Sequence, residues 1–161
     1  MQPRYSRRRV KPATARVPSR CATCRELGSL EVSQVIRGGK LRWVEEFSCA
    51  CGHAFEAGGA GLPTKVVREA LLEQVGHAEL WLDDPKARPV VTKVLVRVLG
   101  VKARLVAKLL AKVPAVAFDG THGEAQFLAL ALERQGLQLR LVLRPPVQAA
   151  SVRPAKFPKG R

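Results

Sequence analysis

Four cysteines, Cys21, Cys24, Cys49 and Cys51, are all that the chain contains. They stand in two pairs, "CATC" and "CAC", and Gly52-His53 follows the second. Paired thiolates are the usual donors for a tetrahedral divalent ion, zinc foremost. His53 is a further nitrogen donor. Two ligand sets are therefore open, the four cysteines or three of them with His53. Disulfides are the third possibility, but they belong to oxidising compartments, and no apolar leader opens the chain. "SRRRVK" is followed by "PATARVPSR", which lacks the apolar core of an export signal. A catalytic ion would keep an open position and want an acid or base beside it. Only Glu45 and Glu46 stand close in sequence. His77 and His122 are isolated, and neither a nucleophile–base set nor a Gly-rich phosphate loop is visible, so no enzymatic activity is expected.

The residues between the pairs must position them. "SLEVSQVIR" and "KLRWVEEFS" flank Gly38-Gly39, a pair suited to the positive φ angles of a two-residue hairpin turn. In the second arm Leu41, Trp43 and Phe47 share one face with Glu45. Such a hairpin buries too little apolar surface to fold alone, and an ion clamping its outer ends would supply the missing stability. This layout resembles a zinc ribbon. "CGHAF" is similar to the second knuckle of transcription-factor-type ribbons, usually Cys-x-x-Cys-Gly-His and an aromatic. Here one residue, not two, separates Cys49 from Cys51. Ribbons that stimulate transcript cleavage carry an acidic pair at the tip. This tip, "RGGK", is basic, so that activity is not implied. Arg37, Lys40 and Arg42 would suit phosphates or guard the strand edges. Trp43 would pack on the hairpin or stack on a base.

The 161 residues carry 28 basic and 13 acidic side chains, a net charge of +15. Residues 1–20 hold Arg4, Arg7, Arg8, Arg9, Lys11, Arg16 and Arg20 with no acid, and residues 144–161 hold five more bases with no acid. Both segments read as disordered, Pro-containing arms whose charge favours phosphate. No apolar run reaches the length of a membrane span, so no membrane partner and a cytoplasmic location are expected.

Residues 21–57 thus form the ribbon and residues 58–78 a Gly-rich linker with a helix capped by Thr64. Residues 79–143 read as β-α-α-β-α-β, with Gly100, Pro114 and Gly136 ending the helices. "VVTKVLVRVLGVKARLVAKLLAKVP" and "EAQFLALALERQGLQLRL" are similar to the C-terminal domain of the bacterial ribosomal stalk protein. The ClpS adaptor family shares that fold, but its peptide-pocket residues are not matched here. The resemblance implies a partner-binding face on the first two helices, one position of which Lys93 matches; Arg97, Arg104, Lys108 and Lys112, at one-turn spacings, extend a basic surface there. The expected protein is α+β: a zinc ribbon, a stalk-like domain and basic tails. It would bind Zn2+ and nucleic acid, RNA before DNA, or a ribonucleoprotein. The alternative is an adaptor that grips an acidic protein.

Overall fold

Alternating burial in the strands between residues 13 and 48 shapes the first unit. The structure is a computed structural model and describes residues 13–146. Strands β1 (Ala13–Arg20), β2 (Leu27–Arg37), β3 (Lys40–Ser48) and β4 (Ala54–Ala60) form an antiparallel sheet in that order. The expected hairpin is its centre, with Arg37 opposite Lys40 and with Gly38 and Gly39 at φ of 58° and 72°. Ala15, Leu30, Val32 and Phe47 point to one face, where helix α1 (Lys65–Gln74) lays Val67, Ala70 and Leu71 on them. Two-residue periodicity meets helical periodicity there, each supplying one apolar stripe.

Two segments depart from expectation. Residues 13–20 are not part of a disordered arm but the edge strand β1. Ala15 and Val17 turn inward beneath α1 while Arg16 and Arg20 stay exposed, so the bases need no burial. Pro18 is tolerated because an edge strand needs only half its backbone donors. The Gln74 side chain completes that edge, accepting from the Arg16 N–H at 2.9 Å and donating to the Arg16 carbonyl. Residues 54–60, read as ribbon end and linker, are β4. Gly58 and Gly59 pass so close to β3 that a Cβ on Gly59 would lie 2.9 Å from the Trp43 ring. The more N-terminal bases, Arg7, Arg8, Arg9 and Lys11 among them, and residues 147–161 lie outside the described residues.

Helix α1 begins as Thr64 dictates. Its hydroxyl accepts from the Val67 N–H at 3.4 Å and donates to Glu45 at 3.0 Å, joining the cap to β3.

The second unit runs β5 (His77–Leu82), α2 (Arg88–Leu99), α3 (Ala103–Leu109), β6 (Ala115–Gly120), α4 (His122–Glu133) and β7 (Arg140–Arg144). A short 3-10 turn precedes α2. This is the expected element order, and the antiparallel sheet is ordered β6-β5-β7. Ala78, Leu80 and Leu82 on β5 meet Val91 and Leu95 of α2, Val106, Leu110, and Leu128 and Leu132 of α4. Gly100 ends α2 at φ 66°, and Gly136 stands after α4 at φ 76°. Leu109 and Phe127 stay outside this core: Leu109 is 54% exposed and Phe127 only half-buried. The mixed α+β class holds, with a four-stranded sheet, a three-stranded sheet and four α-helices among the described residues. No helix there is long and apolar enough to cross a membrane.

A buried polar junction joins the units. Gln34, Thr121 and Glu124 are each no more than 2% exposed. Thr121 caps α4, accepting from the Glu124 N–H at 3.2 Å, and Glu124 returns the bond to the Thr121 N–H at 2.9 Å. The Thr121 hydroxyl donates to Gln34 Oε1 on β2 at 2.6 Å. Arg68 on α1 donates to both Glu124 oxygens, at 3.0 and 3.2 Å. Gly123 makes the approach possible, since a Cβ there would lie 3.1 Å from Gln34 Cβ. Helix α4 thus belongs to the second core and also covers the first sheet.

Candidate metal centre

Two turns at one end of the first sheet present the cysteines. Cys21 follows β1 directly, and Cys49 follows β3. In the first turn the Cys21 N–H donates to the Glu26 carbonyl at 2.8 Å, and the Arg25 N–H donates to the Cys21 carbonyl at 2.9 Å. In the second, the Cys49 N–H donates to the His53 carbonyl at 3.0 Å, and the Gly52 N–H donates to the Cys49 carbonyl at 3.0 Å. The residue after the second cysteine takes positive φ in both, 64° at Arg25 and 88° at Gly52. The Cys-x-Cys pair therefore closes like the Cys-x-x-Cys pair with one residue fewer, which answers the question its short spacing raised.

All four sulfurs lie within 4.8 Å of one another. Cys21 Sγ is 3.7 Å from Cys51 Sγ, and Cys24 Sγ is 3.5 Å from Cys49 Sγ. Sulfurs about 2.3 Å from a central zinc make a tetrahedron with edges of about 3.8 Å. The observed spacings fit that figure and are far too long for the disulfide bond length of about 2.05 Å. All four are free thiols. The cluster is thus positioned to hold a metal ion. His53 is not part of it. Its ring lies 6.0 Å from that of Phe47 and 6.4 Å from that of Phe55, which stack on each other at 5.3 Å. Histidine here extends an aromatic group, and its carbonyl serves the knuckle.

Two of the thiols are shifted in opposite directions. The Cys24 N–H lowers the Cys21 thiol to about 6 against the opposing effect of burial, with help from the Thr23 N–H and the neighbouring sulfurs. At Cys24 the Glu26 N–H also pulls downward, but the Cys51, Cys49 and Cys21 sulfurs crowd it and push it up to about 12. Four protein sulfurs would fill the four positions of a tetrahedral ion.

Arg25 is the one non-glycine at positive φ among the described residues. That conformation costs an ordinary side chain about 1 kcal/mol or more. Arg25→Gly is expected to stabilise the metal-loaded protein by about 0.5–1 kcal/mol, read as a higher melting temperature. A lower melting temperature would show that the guanidinium contributes more than the backbone loses.

Beyond the cysteines, Arg37, Lys40 and Arg42 are exposed around the far turn of the sheet. Trp43 instead lies partly buried on the covered face, against the first core and above Gly59. Arg134, just past α4, reaches the turn, so that a Cβ on Gly39 would lie 2.6 Å from its guanidinium. Its place beside the turn was hidden because only the tertiary fold brings residue 134 to residue 39. Lys93, Arg97, Arg104, Lys108 and Lys112 are all exposed on or just beyond α2 and α3. Residues 85–118 contain eight bases and no acid. Val101, Leu105 and Leu109, also exposed, share a spacing of four with Arg104, Lys108 and Lys112. Comparison of the chain with protein-family models, with curated proteins and with solved structures gives no match.

Proposed function

We propose that this is a non-enzymatic zinc protein whose metal is structural and whose basic surface binds nucleic acid, RNA before DNA, free or within a ribonucleoprotein. The closed four-cysteine cluster carries the metal reading. Thiolates at this spacing suit zinc, which needs no redox partner and accepts a tetrahedral set. When bound, the ion would tie the ends of β1 and β3 together and replace the core that a sheet this small lacks. The polyanion reading rests on charge. Arg37, Lys40, Arg42 and Arg134 gather at the opposite end of the sheet, and the chain carries +15. Such a surface releases counterions from phosphates and binds without reading sequence.

A single-stranded RNA oligonucleotide, followed by fluorescence anisotropy across a salt series, tests this. Affinity is expected to fall steeply with salt. Reversing Arg37, Lys40, Arg42 and Arg134 to Glu is expected to weaken binding more than tenfold and to flatten the log–log slope by about 2–3, at roughly 0.7 per phosphate contact. An unchanged slope would overturn the assignment of these residues, and salt-independent binding would overturn the phosphate reading itself. Duplex DNA in parallel ranks the two nucleic acids.

One observation favours a second reading. Leu105 and Leu109 are more than half exposed beside the α3 bases. Phosphates give leucines nothing, whereas an acidic amphipathic helix would cover them and pair with Arg104, Lys108 and Lys112. Under that reading, Leu105→Ser with Leu109→Ser abolishes capture of an acidic partner and leaves RNA affinity unchanged. The stalk-like resemblance of residues 79–143 remains part of this proposal.

A further inference from the structure

The edge strand β7 reads Arg140-Leu141-Val142-Leu143-Arg144, the same in both directions. It pairs with β5 on one side only, and no strand lies on its other side among the described residues. Leu141 is 38% and Leu143 58% exposed, although they stand opposite Leu80 and Ala78, which are fully buried. The apolar face of this sheet therefore runs off its own edge uncovered.

Both edges of the first sheet are protected. Pro18 and the Gln74 amide guard β1, and β4 offers Gly58 and Gly59 in place of side chains. Edge strands are commonly defended by charge as well. On β7, however, both charges are already engaged. Arg140 donates to Asp83 at 2.9 and 3.0 Å and stacks over Trp81 at 5.0 Å. Arg144 donates to Glu79 at 3.1 Å.

We propose that β7 pairs antiparallel with β7 of a second copy, about a two-fold axis at Val142, to make one six-stranded sheet. The palindrome makes this register self-complementary. Val142 meets Val142 of the other copy, each Leu141 meets a Leu143, and each Arg140 meets an Arg144. Apolar residues directly opposite one another stabilise such a pair, and like charges oppose it. Here Asp83 and Glu79 already neutralise the arginines within each copy. The order becomes β6-β5-β7-β7-β5-β6, and four leucines close into one strip beside α4. The contact is isologous, so it ends at two copies and does not propagate. A five-residue strand buries little area, so the dimer is weak, with a dissociation constant of about 10–500 μM. This pairing does not depend on what the cysteines hold or on RNA.

Sedimentation velocity of the full, zinc-loaded chain across that concentration range tests it. A monomer–dimer equilibrium is expected. It should tighten as salt screens the +15 on each copy, opposite in sign to RNA binding. Leu141→Lys with Leu143→Lys is expected to give only monomer at every concentration, with an unchanged circular dichroism spectrum. An isotope-filtered NOE between Leu141 methyls of one copy and Leu143 methyls of the other fixes the register. A chain that stays monomeric throughout, a dimer untouched by the double change, or intermolecular NOEs elsewhere would each overturn the proposal. If the double variant misfolds, the wild-type NOE decides alone.

Discussion

Cys21→Ser is expected to reduce bound zinc from one ion per chain to almost none, and to unfold the β1–β4 sheet with it. His53→Ala is expected to leave the stoichiometry at one. The contrast follows from position. Cys21 Sγ is one corner of the four-sulfur group and is almost fully buried. His53 stands outside that group, against Phe47 and Phe55. Structural zinc contributes apparent free energies of about 10–16 kcal/mol in small domains, far more than this sheet and one helix supply by packing. Even a threefold discount leaves the loss decisive. Atomic absorption on purified protein gives the metal content, and Trp43 fluorescence follows the sheet. Acid should release the ion as protons compete for the sulfurs. Retention of zinc by Cys21→Ser together with loss in His53→Ala would show the ligand set to be wrong.

Glu124→Ala is expected to destabilise the protein by about 2–4 kcal/mol, because it removes half of a capping box and the buried partner of Arg68 together. The cost stays below the upper range for broken buried pairs because the Arg68 side chain, 40% exposed, can turn to water. Glu124→Gln should recover part of the loss, since an amide oxygen still accepts from the Thr121 N–H. The junction also makes a prediction about cooperativity. Trp43 reports the first unit and Trp81 the second. In wild type, variants that keep one tryptophan at a time should melt at the same temperature. In Glu124→Ala the two transitions should separate. Coincident transitions in both would show that the units are coupled without this contact.

The sequence made the chemistry more legible than the sheet around it. Cysteine carries its own signal, so both pairs were evident before any fold was known. Thr64, Gly100 and Gly136 marked helix ends because capping and positive φ are local demands. The strands β1 and β4 were hidden. "ATARVPSR" is small, basic and contains proline, and "AFEAGGA" contains two adjacent glycines, so each argues locally against a strand. Pairing with β2 and β3 overrides that preference, as sheet context commonly does. The polar junction could not be read at all. Gln34 and Thr121 are 87 residues apart, and Arg68 and Glu124 are 56 apart. Neither pair has any local pattern to betray it.

The placement of α4 has a consequence for synthesis. The cysteine set is complete once residue 51 has been made, and α1 once residue 74 has. The helix that covers Gln34 comes only with residues 122–133. At roughly 5–20 residues per second, a nascent chain spends several seconds with its metal clamp assembled and that part of its sheet bare. Through that interval α1 and, under the proposed zinc reading, the bound ion would alone hold the first unit in shape. Under that reading, metal supply during translation, rather than afterwards, would govern how much of the chain reaches its final fold.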